Sequence, residues 1–244
     1  LGFRAAFVFA FATHPGLLQP RLLLFLVLAL SSALSVTLSI LRIWYSGSRS
    51  YIFLNWNLML AWIPLALALM LWHLDRKPGY RRRLLMLLIF CSWFLFFPNS
   101  PYIVSDLMHI APRHNVPVWY DTIMIFSFAW NGLILGFVSL WIVQQLAARW
   151  FGGVFGWLFA AVVLTATGFG IYLGRFLRWN SWDVLVDPLG MARQVLTYIL
   201  NPLDYPRTIA VTLLFGGFLT VAYLTVILLP TVLRKSLADG SADI

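Results

Sequence analysis

Long apolar runs separated by short polar breaks make up almost the whole of this chain. The runs at 22–44, 52–74, 121–146, 154–173 and 208–233 are each long enough to cross a bilayer as a helix, because about 20 residues cover a hydrocarbon core of ~30 Å. A sixth run, LLMLLIFCSWFLFF at 84–97, stops at Pro98, and its fourteen residues reach only about 21 Å at 1.5 Å per residue. Asn99-Ser100-Pro101 reads as a break, and Tyr102 to Ile110 resumes a helical pattern, so 84–110 is one interrupted span. The pattern predicts an all-α integral membrane protein, a six-span bundle with an interrupted third span over 22–233. An interfacial or truncated segment, 1–21, precedes it, and a disordered tail, 234–244, follows. Between spans five and six, Asp187 is a good N-cap and Pro188 a favoured first residue. Leu189, Ala192, Leu196 and Ile199 then recur at helical spacing, which predicts a short amphipathic helix on the outer surface, ended by Asn201-Pro202.

Composition supports the bilayer. The chain of 244 residues is 61% hydrophobic and 10% charged, against about 25% charged in soluble domains. A net charge of +9 suggests nucleic acid in a soluble protein. Here the basic residues flank spans and set their orientation, so no nucleic-acid partner is expected. The one cysteine, Cys91, excludes an intrachain disulfide. Loop 75–83 holds Arg76, Lys77, Arg81, Arg82 and Arg83, and basic loops stay in the cytoplasm. Six spans then place both termini, with Arg4, Arg21, Arg234 and Lys235, on the cytoplasmic side of the membrane. Loops 45–51, 111–120 and 174–207 face outward. The last of these holds Arg175, Arg178, Arg193 and Arg207 against the charge rule.

Ionisable groups at membrane depth are expensive unless paired, and are functional candidates for that reason. The outer-half candidates are Asn55, Asn57, Asn99, Ser100, Tyr102, Asp106, His109, Asp121, Ser127, Asn131, Arg175, Arg178, Asn180 and Asp183. One outward-opening polar pocket accommodates them all. Ser100 reads as an N-cap and Pro101 as the first residue of a half-helix, 101–110, whose free N–H groups suit an anion. Arg175 and Arg178, one turn apart, either supply guanidinium forks for phosphate or carboxylate, with Asp106 and Asp183 as counter-ions, or simply snorkel to lipid phosphates or pair with Asp106, Asp121 and Asp183. Asp106 and His109 share a helix face and could act as general base and orienter, or as two metal ligands. Only His109 and His114 lie outside, so a three-histidine zinc site is unavailable. The sequence names no cofactor. Gly132-xxx-Gly136 and Gly170-xxx-Gly174 allow close backbone approach and would hold Arg175 against its neighbours.

Three blocks, FFPNSPYIVSDLMH, WYDTIMIFSFAWNGLILGF and FGIYLGRFLRWNSWDVL, resemble the signature of domain-of-unknown-function family 1361 over about residues 25–233. The match falls on Pro98, Asn99, Tyr102, Asp106, His109, Asp121, Trp130, Gly174, Arg175, Arg178, Asn180, Trp182 and Asp183. The resemblance implies a multi-pass bacterial inner-membrane protein and no particular activity. Three functions stay open: a module binding or transporting an anionic lipid head group or small anion, a membrane enzyme using Asp106 and His109, and a structural or assembly subunit. Oligomeric state is not legible.

Overall fold

Helices that are apolar on every face have no stripe to bury, and the exposed sides of these helices are as apolar as their packed sides. Leu30, Trp44, Val154 and Leu214 all stand fully outward, as lipid-facing side chains do. The computed structural model describes residues 20–75, 80–113 and 115–240. The spanning helices are α1 (Pro20–Ser46), α2 (Phe53–Leu74), α3 (Tyr80–Phe96), α5 (Val118–Phe151), α6 (Gly153–Phe176) and α9 (Pro206–Gly240). Short elements complete the chain: α4 (Asn99–Tyr102), a 3₁₀ segment (Ile103–His109), α7 (Asp183–Val186), α8 (Pro188–Leu200) and a 3₁₀ turn (Pro202–Asp204). Among the described residues, six stretches are long and apolar enough to cross a membrane, with Arg81–His109 counted as one. Among the described residues, pairing of the β type is limited to one bridge, Arg113 to Val116. Segment 1–19, residues 76–79, His114 and residues 241–244 lie outside the described residues.

The central post is α5. In its most apolar window 61% of residues are buried, against 17% for α1 and 22% for α9. Around it pack α1, α2, α4, the 3₁₀ segment and α6, while α9 lies chiefly on α6. Small residues make the closest approach possible. A Cβ on Gly132 would come 2.3 Å from the Ser100 carbonyl oxygen, and one on Gly136 would come 3.1 Å from Ser100 Cβ. One residue, Gly152, joins α5 to α6 at φ +98°, a conformation that glycine adopts without steric cost. No proline or glycine intervenes between 137 and 151, so α5 runs well past the expected end at 146.

The third span is interrupted where expected, but differently. Residues 97–98 form a turn and α4 follows at once, inside the bundle. Ser100 is not an N-cap. Its hydroxyl donates to Ala61 O at 2.8 Å, its N–H to Phe97 O at 3.2 Å, and Tyr102 N–H to Pro98 O at 2.9 Å. Pro98 and Pro101 carry no N–H. The expected half-helix with free donors at 101–110 is therefore absent: the donors stay in use, and beyond α4 the chain tightens into 3₁₀. Asn99 Nδ2 donates to Phe96 O at 2.9 Å and so covers the end of α3. Expected and observed agree at α8, where Asp187 accepts from Gly190 N–H at 2.9 Å and Pro188 follows. At the other end of the chain α9 continues to Gly240. Residues 234–240 are thus helical rather than disordered, because no breaker follows Pro230 until Gly240.

Candidate functional site

Asp106 and His109 belong to the 3₁₀ segment, and at three residues per turn their side chains stack one above the other. Both meet Arg175, from the last turn of α6. The Arg175 Nη2 pairs with Asp106 Oδ1, and its Nη1 lies 2.7 Å from His109 Nε2. Nε and Nη2 also donate to Ser105 Oγ at 3.0 and 2.6 Å. Asp106 Oδ2 accepts from Asn57 Nδ2 at 2.8 Å. The guanidinium carbon sits 4.6 Å above the centre of the Tyr102 ring. Arginine only donates, so His109 offers an unprotonated Nε2 and carries its proton on Nδ1. A guanidinium occupies the point on which Asp106 and His109 converge, where a metal held by both would lie. Among the described residues no three His, Cys, Asp or Glu side chains gather.

The glycines at 170 and 174 set this geometry. A Cβ on Gly174 would stand 2.9 Å from Tyr102 Cε2, and one on Gly170 3.0 Å from the Pro98 ring. Helix α6 thereby lies directly against the break in span three. Beside the cluster is a cavity of about 910 Å³. Its polar end carries Asn57, Asn99, Asp106, His109, Arg175 and Asn180. The remainder is mostly apolar, with Phe90 and Phe94 from α3, Phe97 from the turn after it, Val163, Phe169 and Leu173 from α6, and Met191 and Val195 from α8. Cys91 and Phe94 on its rim are exposed. A second cavity of about 580 Å³, with Arg83 on its edge, lies toward the opposite end, and Phe90 lines both.

Arg178 does not join Arg175. Helix α6 ends at Phe176, Arg178 takes a left-handed conformation at φ +60°, and Trp179 N–H reaches back to Leu173 O at 3.2 Å. The turn leaves Arg178 exposed. Nor is Asp183 a counter-ion for Arg175: its Oδ2 accepts from Asn180 N–H at 2.7 Å and holds the turn before α7. Asn180 is exposed at the rim. Asn99 is tied to that turn through Ser181 Oγ at 2.9 Å.

Asp121 and Asn131 belong to a separate polar seam, so the single pocket expected from the sequence divides in two. Arg42 on α1 forms a two-pronged pair with Asp121, at 2.7 and 3.0 Å, and both side chains are fully buried. Asn131 Nδ2 donates to Ser31 O, Ser35 Oγ and Ser127 O within 3.1 Å. Ser39 accepts from Asn55 at 2.8 Å, and Ser32 from Trp62 Nε1 at 3.2 Å. These contacts fasten α1 to α5 and α2. Ser100 is likewise a packing residue. Tyr51 lies between the two groups, with Arg42 4.5 Å from its ring centre and its hydroxyl donating to His109 O at 2.9 Å. Burial first, then the Asp121 carboxylate, pushes the Tyr51 phenol above its ordinary value, so it remains a donor.

Arg42 and Ser105 are the residues that the sequence reading missed. Arg42 sits in ILRIWY, apolar on both sides, and that flanking was the available signal. Ser105 next to Asp106 carried none.

Fold and site together define an all-α, multi-pass membrane protein with a buried charge cluster at one end of its bundle. Residues 56–222 match the family described as protein of unknown function (DUF1361), and the chain belongs to that family. No curated protein and no solved structure matches it.

Proposed function

We propose that the Arg175 end of the larger cavity binds a ligand through an anionic, oxygen-bearing group, either a lipid head group or a small anion. One observation carries this reading. Of the five N–H groups of a guanidinium, four of Arg175's are directed at Ser105, Asp106 and His109, and one on Nη1 has no acceptor among the described residues. Arg175 lines the cavity, and an acceptor oxygen there completes its set. Because Asp106 already balances the charge, the site suits a head group recognised by hydrogen bonds more than a highly charged ion. Asp106 has both oxygens engaged and His109 its Nε2, which favours binding over acid–base chemistry.

We further propose that the chain lies in a bacterial inner membrane with its termini in the cytoplasm. The basic residues Arg81, Arg82, Arg83 and Arg149 gather at the end opposite the site, as cytoplasmic ends do. The site then faces outward. Native mass spectrometry of the protein released from its own membrane tests the binding reading. A bound species with a phosphate or carboxylate group is expected, with occupancy at least about tenfold lower in Arg175→Ala, the loss of one charge-assisted hydrogen bond. Equal occupancy in the variant would overturn it.

A further inference from the structure

Resting on that binding site, we infer that its ligand is a membrane amphiphile that enters sideways from the bilayer and lays one long chain between α3 and α6. The trough has the depth for it. From Arg175 to Val163 along α6 is twelve residues, about 18 Å of helix, close to half of a hydrocarbon core of ~30 Å. The site therefore reaches from the interface to about the midplane, the depth of one leaflet.

Its walls have the chemistry. Below Arg175 the lining is Phe169, Leu173, Phe94, Phe97 and Val163, closed at the far end by Phe90. The polar side chain there, Thr167, already donates to Val163 O at 2.8 Å. Water in such a space finds almost nothing to bind, and a phosphate or sulfate ion fills only the arginine end. A hydrocarbon chain satisfies the remainder. The exposed rim at Cys91 and Phe94 gives the chain an entrance from lipid without passage through water. The head group then stops at Arg175, whose remaining N–H meets it.

The test uses the full chain in phosphatidylcholine vesicles with two photoactivatable phosphatidic acids, one long-chained and one dihexanoyl, each carrying a diazirine. Ala166 lies nine residues below Arg175 in the wall of the trough, so Ala166→Phe plugs its lower part and leaves the head-group end open. The long-chain probe is expected to crosslink to residues 90–97 and 163–173, with labelling reduced about tenfold by Ala166→Phe. The dihexanoyl probe should label Ala166→Phe as well as the parent, which also shows that the variant is folded. Long-chain labelling spread evenly over the outward faces of α1 and α9 would overturn the inference. So would labelling that Ala166→Phe leaves unchanged. If inorganic phosphate protects the Arg175 end while the long chain shows no preference for the trough, the amphiphile is wrong and the anion site stands. If Arg175→Ala alters neither probe, the anion site itself fails and the inference with it.

Discussion

Arg175 holds three partners from one segment with a planar fork, and its conservative replacement is therefore informative. Lysine keeps the charge but cannot reach Ser105, Asp106 and His109 together. Arg175→Lys should weaken ligand retention nearly as much as Arg175→Ala while preserving more of the folded protein, as read by mass spectrometry beside thermal unfolding in detergent. The Arg42–Asp121 pair invites a different expectation. Arg42→Met strands a buried carboxylate, at a cost of about 3–5 kcal/mol, whereas a well-packed apolar pair can be neutral. Arg42→Met combined with Asp121→Leu should recover most of the unfolding midpoint lost in the single variant. A double variant no better than the single would show that the pair is not the unit that matters. Asp106 and His109 were legible as neighbours because a three-residue spacing faces one way in either an α or a 3₁₀ helix. Arg178 was not, since nothing in LGRFLRWN announces that the helix stops at Phe176 and that Arg178 turns left-handed. Arg42 was missed because, read along one dimension, an arginine four residues from a helix end looks like any flanking cation.

At the scale of elements, the contact of the break with α5 is made by backbone, which has nowhere to move. Gly132→Ala puts a methyl 2.3 Å from Ser100 O, and overpacking of this kind costs about 1–3 kcal/mol. A clear drop in the unfolding temperature is expected, while Gly217→Ala, with nothing within 4 Å of the new methyl, should leave it unchanged. The six spans were readable because length and apolarity alone define them. The interruption was readable too, since two prolines at 98 and 101 cannot donate. Its resolution was not. Whether the freed groups would seek water, a ligand or their own neighbours depended in part on Ala61, whose carbonyl the fold brings to Ser100 and the linear chain does not.

For the whole molecule, the cluster Arg81, Arg82 and Arg83, set against the scattered arginines of loop 174–207, predicts which side faces the cytoplasm. In a Cys91→Ser background, an impermeant maleimide should label Thr197→Cys in intact cells and leave Gly79→Cys untouched until the membrane is opened. The reverse pattern would turn the protein over and place the site in the cytoplasm. Arg149, which pairs with Asp75 and lies 4.8 Å from the Trp72 ring centre, marks the end that should stay protected.

The Arg42–Asp121 pair also bears on how the protein is made. The partners are 79 residues apart in the chain, so α1 leaves the ribosome well before the acid that neutralises its arginine exists. Until α5 arrives, Arg42 can reach water only past Ser46, and the nascent helix must sit displaced toward that side. Synthesis of α5 then draws it inward, which makes entry of the first helix complete only after the fourth span is made. A chain halted after residue 113, with Ser39→Cys in the Cys91→Ser background, should accordingly react with a water-borne thiol reagent at position 39. In the finished protein, where Ser39 is 1% exposed, the same cysteine should be silent.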